Sequence, residues 1–179
     1  LSTKQQKSGV QSAQIRFEFS EVLQKKLDIL MVRHHCSLNV IVLSCLYVAL
    51  SKYTKDDAVT LGVAFSNRAL TSEDVLGCFV NVLPIELSVQ GVLPIDSVFK
   101  ALTQAFHEAG EHSYYPVFDL ISALKKERFG NEHPLYQMMF ASQHEDTSQS
   151  AGTYKRHQKS FSNTSPLFEL MFSFFHGVK

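Results

Sequence analysis

The chain has 179 residues, and its 17 Lys and Arg balance its 17 Asp and Glu, a formal charge of zero that excludes recruitment of nucleic acid or of an anionic membrane by net field. Hydrophobic residues make up 45% and charged residues 19%, which excludes general disorder. A chain of this length buries about 70% of its unfolded surface, so a single domain with a real core needs no disulfide staples. The three cysteines, Cys36, Cys45 and Cys78, form no C-x-x-C pair, and their odd count and wide spacing point to a reducing cytoplasm.

The opening LSTKQQKSGV has positive charges but no apolar run behind it, so it does not read as a secretory signal. Ala13 to Phe19 alternates Ile15, Phe17 and Phe19 against Arg16 and Glu18, the period of a half-buried strand. Ser20 is placed to cap a helix in which Val22, Leu23, Leu27, Leu30 and Met31 recur at helical spacing, with Glu21 in the first turn where the dipole favours it. Ser37 caps a second helix to about Tyr53, apolar on nearly every side and therefore expected between layers. Its run from Leu38 to Leu50 is shorter than the roughly 20 residues that span a bilayer and contains Asn39 and Ser44, so it reads as core.

Ala58 to Phe65 is a β-branched run typical of a strand covered on both faces. Phe79 to Val89 is a second strand, in which Phe79, Val80 and Leu83 are read as buried and Pro84 implies an edge, a bulge or a kink. Pro94 to Ser113 is helical, with Val98, Leu102, Ala105 and Phe106 on one face, and Phe118 to Lys126 follows as a short helix after Pro116. Strands are predicted at Tyr136 to Ser142 and Phe168 to Phe175. In the last, Phe168, Leu170, Phe172 and Phe174 make one wholly apolar face that needs cover. The segment 144–166 is a long polar loop, with a short strand possible near Tyr154 to Phe161; its Lys155, Arg156 and Lys159 read as a solvated face. The fold class is α/β, a mixed β-sheet flanked by helices.

No chemistry follows from spacing alone. His107 and His112 are too far out of phase to share a helix face, and His34, His35 and Cys36 are consecutive, so no metal site is predicted. No phosphate loop, G-x-S-x-G elbow or G-x-G-x-x-G turn is present. Asn81 stands inside an apolar strand and needs a partner: it either ties down a neighbouring loop or faces a ligand cavity.

Ala58 to Arg68 (AVTLGVAFSNR) followed by Leu76 to Leu87 (LGCFVNVLPIEL) resembles the second half of the condensation domain of nonribosomal peptide synthetases. His112 to Asp119 (HSYYPVFD) and Pro134 to Gln143 (PLYQMMFASQ) are similar to two later segments of that family, and Leu27 to Leu50 to its preceding helix pair. The motif positions are Gly77, Phe79, Val80, Asn81, Pro84, Tyr115, Pro116 and Asp119. Departures fall at Ala64, Val82, Glu86, Ser113 and Tyr114, where the family usually has other residues; they bear on subclass and acceptor preference.

The resemblance implies one lobe, the C-terminal one, of a two-lobed chloramphenicol acetyltransferase-like fold, with residues 1–179 being a fragment of the whole domain. It implies amide or ester formation between acyl groups carried on phosphopantetheine, no cofactor bound directly, and as partners the N-terminal lobe and the donor and acceptor carrier proteins. Asn81, Asn67 and Arg68 become candidates for facing the tunnel or substrate. The family's H-H-x-x-x-D-G motif is expected in the other lobe. The lookalike His34 to Val40 (HHCSLNV) follows an amphipathic helix and has Asn39 and Val40 in the Asp and Gly places, so His35 is disfavoured as a catalyst and His34 and His35 are placed near a helix C-terminus. The alternatives are a condensation-like module that only recruits a carrier protein or partner enzyme, or an epimerisation or cyclisation relative.

Overall fold

The structure, a computed structural model, describes residues 13–68, 75–88, 94–124, 133–144 and 168–176. Helices α1 (Glu21–His34) and α2 (Leu38–Thr54) come first, bent 101° from each other. Strands β1 (Ala58–Ser66) and β2 (Val80–Ser88), helices α3 (Ile95–Glu111) and α4 (Val117–Ala123), and strands β3 (Met138–His144) and β4 (Leu170–His176) follow. Both predicted serine caps are made: the Leu23 amide donates to Ser20 Oγ and the Val40 amide to Ser37 Oγ, each at 3.3 Å.

The described strands form one mixed sheet in the order β2-β1-β3-β4. β2 runs antiparallel to β1, while β3 runs parallel to both β1 and β4. Pro84 lies in β2, at an edge of this sheet, where its missing amide costs no interior ladder bond.

Alternation divides the sheet into two faces. Val59, Leu61 and Val63 of β1, Leu83, Ile85 and Leu87 of β2, and Phe140 of β3 turn to one side, where α2 and α3 bring Leu43, Tyr47, Leu50, Val98 and Leu102 against them. Tyr47 is buried there and its hydroxyl donates to the Ile85 carbonyl at 2.7 Å, tying α2 to β2. On the other side Gly62 meets the ring of the buried Tyr136: a Cβ on Gly62 would lie 2.3 Å from that ring, so only glycine fits. His133 stacks on Tyr136 with ring centroids 3.9 Å apart.

Three expectations need correction. Ala13 to Phe19 forms no strand; it is an unpaired arm, because alternation gives a period and not a pairing partner, and Phe19 instead sets its ring 5.9 Å from that of Phe174. Val80 is 56% exposed, since it shares the face of Val82 and Pro84 and not the helix-covered face of Leu83. Tyr136 precedes β3 and does not belong to it.

On the apolar face of β4, Phe172 and Phe174 are half-buried against the core and the Phe19 ring meets Phe174, but Leu170 stays exposed; Met171 and Phe175, on the opposite side, are exposed too. Lys125 and Lys126 and, beyond His144, the predicted loop with its possible strand lie outside the described residues. Among the described residues no single helix is long and apolar enough to cross a membrane.

Candidate functional site

At the end where β1 finishes and β2 starts, three separated stretches of sequence meet. The Asn67 amide, just past β1, donates to the Phe79 carbonyl at 3.1 Å and so extends the antiparallel pairing. Asn81 pairs in register with Phe65 and therefore turns to the helix-covered side of the sheet. There its Nδ2 donates to the carbonyls of Ser113 at 2.8 Å and Tyr115 at 2.7 Å, while its Oδ1 accepts from the Val82 amide at 3.0 Å. Asn67 Nδ2 donates to the same Ser113 carbonyl. Of the two readings of Asn81, the geometry is that of a loop tie.

The gripped turn is the exit from α3. The last helical turn tightens, with the His112 amide donating to the Ala109 carbonyl and the Ser113 amide to the Gly110 carbonyl, both at 3.2 Å. Tyr115 closes the turn by donating to His112 at 2.9 Å. Pro116 then starts α4 with a ready-set φ, and Asp119 sits exposed in its first turn. The turn therefore presents Tyr114, Tyr115 and Phe118 to solvent.

Arg68 grips the other strand connection. Its Nη1 donates to the Val75 carbonyl at 2.8 Å and its Nη2 to the Gly77 carbonyl at 3.3 Å, and its guanidinium lies 4.3 Å from the centroid of Phe79. Gly77 is exposed, and a Cβ there would make only ordinary contact with Phe79, so close packing does not require glycine. The structure thus brings Asn67, Arg68, Phe79, Asn81, Tyr115 and Pro116 into one end of the sheet, while Pro84 lies farther along β2, opposite Gly62. The sharing of one carbonyl by two asparagines escaped the sequence reading. The only local signal was a short polar turn after a helix.

One acceptor in this cluster is left over: Asn67 Oδ1 is buried with no hydrogen-bond partner among the described residues. His35 lies away from the cluster, exposed, as the left-handed C-cap of α1 at φ 50°. His34 Nδ1 lies 3.1 Å from Asp96 Oδ1 at the start of α3. Among the described residues no three His, Cys, Asp or Glu side chains gather to hold a metal ion.

A family model described as "Condensation domain" matches residues 1–176. Bacitracin synthase 1 of Bacillus licheniformis is 28% identical over 131 residues, which covers 73% of this chain and 2% of that protein. Surfactin synthase subunit 1 of Bacillus subtilis (strain 168) is 29% identical over 122 residues, covering 68% and 3%. Among solved structures, the condensation domain from the Monacolin K polyketide synthase MokA matches with a TM-score of 0.73 at 18% identity over 87% of this chain and 37% of its own. The starter condensation domain of rhizomide synthetase RzmA matches with a TM-score of 0.63 at 19% identity, over 78% and 33%. At such identities these structures share the fold, and the chain spans only a small part of the synthases and about a third of the solved domains.

Proposed function

The chain belongs to the condensation-domain family, and from that membership we propose that it is the C-terminal lobe of such a domain in a peptide synthetase or a hybrid peptide–polyketide synthetase. In the complete domain an acceptor amine or hydroxyl attacks the thioester carbonyl of a donor acyl group. A C–N or C–O bond forms, the C–S bond breaks, and the phosphopantetheine thiol leaves with the proton. Both substrates arrive on carrier proteins, which are the partners together with the N-terminal lobe. This chain binds no cofactor itself and needs neither nucleic acid nor membrane, and its free cysteines suit a reducing cytoplasm.

The observation that supports this reading is the double amide clasp. The segment ending in Asn67 and Arg68, the one around Asn81, and the one running through Tyr115, Pro116 and Asp119 are three of the five stretches that resemble the family, and two of them converge on carbonyls of the third. On this reading the turn that the clasp holds supplies tunnel wall on the acceptor side. Handling of the proton is assigned to the other lobe, since His35 caps a helix and faces solvent.

The test is a product assay with loaded donor and acceptor carriers. The chain alone should give nothing above background aminolysis, and adding the N-terminal lobe should restore product. Turnover by the chain alone would overturn the assignment. A second reading, recruitment without catalysis, draws support from the commitment of Asn81 and Arg68 to backbone carbonyls. It is told apart by carrier binding with no product from the reunited lobes.

A further inference from the structure

Helix α1 has two unlike faces. Leu27, Leu30, Met31 and His34 are half-buried against the body, and the edge of His34 meets the Phe99 ring at 5.2 Å. The outer face is open: Val22 is 66% exposed, Ile29 58% and Val32 75%. Val22 and Ile29 occupy successive a positions of a heptad pattern and Val32 a d position, with Lys25 at the other d. The flanks are sorted by charge. Glu21 and Asp28 stand at the g positions, Lys26 and Arg33 at the e positions, and all four are exposed.

This sorting names the partner and its direction. In a parallel pair of helices each g residue meets the following e residue of its mate, whereas in an antiparallel pair g meets g and e meets e. Two copies of α1 side by side and parallel therefore match Glu21 with Lys26 and Asp28 with Arg33 across both flanks. An antiparallel pair would set acid on acid and base on base. The apolar notch lined by Asp28, Ile29, Val32 and Arg33 is the hole into which a side chain of the mate would enter.

We infer that α1 is a homodimerisation helix, pairing parallel with α1 of a second copy of this chain through Val22, Ile29 and Val32 and the two flanking rows of opposite charge. With only 14 residues and a lysine in the seam, the association is weak and salt-sensitive, in the class of transient contacts below about 1,200 Å².

Sedimentation of the 179-residue chain from micromolar to millimolar concentration should show a reversible monomer–dimer equilibrium that weakens with salt. Ile29→Asp, at an exposed position that leaves the circular dichroism unchanged, should raise the dimer Kd by at least about tenfold. Asp28→Arg alone should weaken the dimer, and Asp28→Arg with Arg33→Asp in the same chain should restore it. Direction is read by Ile29→Cys in a background with Cys36, Cys45 and Cys78 replaced by serine: parallel, in-register helices bring the two new thiols together, and mild oxidation should link them. A chain that stays monomeric to millimolar concentration, a dimer indifferent to Ile29→Asp, a double swap that fails to restore it, or a dimer whose Ile29→Cys copies do not link would each overturn the inference.

Discussion

Asn67, just past the end of β1, and Asn81, in the neighbouring β2, both donate their side-chain amides to the backbone carbonyl of Ser113. A carbonyl oxygen has two lone pairs, so the arrangement saturates one acceptor and draws the α3–α4 turn onto the end of the sheet. Because the Asn81 amide also reaches Tyr115, the turn is held at two of its residues.

Asn81→Ala removes the side-chain donor to the Tyr115 carbonyl and one of the two to Ser113, and should lower stability by about 1–3 kcal/mol in urea unfolding. Asn81→Asp should be worse than Ala, because a carboxylate would face two carbonyl oxygens with no donor. An Asp variant as stable as wild type would mean that the turn is positioned by something other than this side chain. Asn67→Ala should cost less, since Asn81 keeps its own bond to Ser113.

How much of this was legible follows from which partners are local. The serine caps at Ser20 and Ser37 bond amides three residues away, within reach of a sequence pattern. That Asn81 needed a partner was also readable, from a polar group in an apolar strand. Its partners lie 32 and 34 residues downstream, and no periodicity reports contacts at that range. The arm at Ala13 to Phe19 and the exposed Val80 failed for one reason: alternation states that a strand would have two faces, but only tertiary packing decides whether a neighbour pairs with it and which face is covered.

Arg68→Lys should free the connection before β2 while leaving the fold intact. Lysine offers a point charge in place of a planar fork, so it cannot hold both the Val75 and Gly77 carbonyls while stacking on Phe79. The expected reading is faster hydrogen exchange confined to residues 75–79. Unchanged exchange there would show that the fork is not what orders the segment.

Gly62→Ala should destabilise the chain by about 1–3 kcal/mol, the usual cost of overpacking, because the new methyl group would enter the Tyr136 ring. Shrinking the ring should relieve the clash. In a double-mutant cycle, Gly62→Ala combined with Tyr136→Leu is expected to lose less stability than the two single changes added together. Strict additivity would mean that the pair is not in contact in solution.

Burial pushes the Tyr136 hydroxyl up from its ordinary value of 10.0 to about 12. Between these values the folded chain keeps a proton that the unfolded chain has lost, so stability must fall as pH rises through that window and is fully present below it. Burial also raises the Tyr47 hydroxyl above its ordinary value of 10.0, so it adds to the same fall as pH rises past that value. Tyr136→Phe keeps the ring over Gly62 and removes the proton. Its stability should decline less than that of wild type between pH 10.0 and about 12, measured by denaturant unfolding at stepped pH. Parallel profiles would show that Tyr136 keeps an ordinary hydroxyl in the folded state.

His35 offers a test in which structural and catalytic roles predict opposite signs. Its backbone is left-handed, at φ 50°, and its amide is spent on the Met31 carbonyl as the C-cap of α1. A side chain with a Cβ is disfavoured in this region by roughly 1–2 kcal/mol, and glycine is not. His35→Gly should therefore raise the melting temperature, by removing a conformational penalty that the exposed imidazole does not offset. In the reunited domain the same variant should form product at a rate within a few-fold of wild type. A residue that moved the proton would behave otherwise, since losing a general acid or base typically costs about 10²–10⁴-fold. A stabilised variant with full activity fits a helix cap; a folded variant with its rate down by that factor would make HHCSLNV the catalytic element and remove the reason for assigning proton transfer to the other lobe.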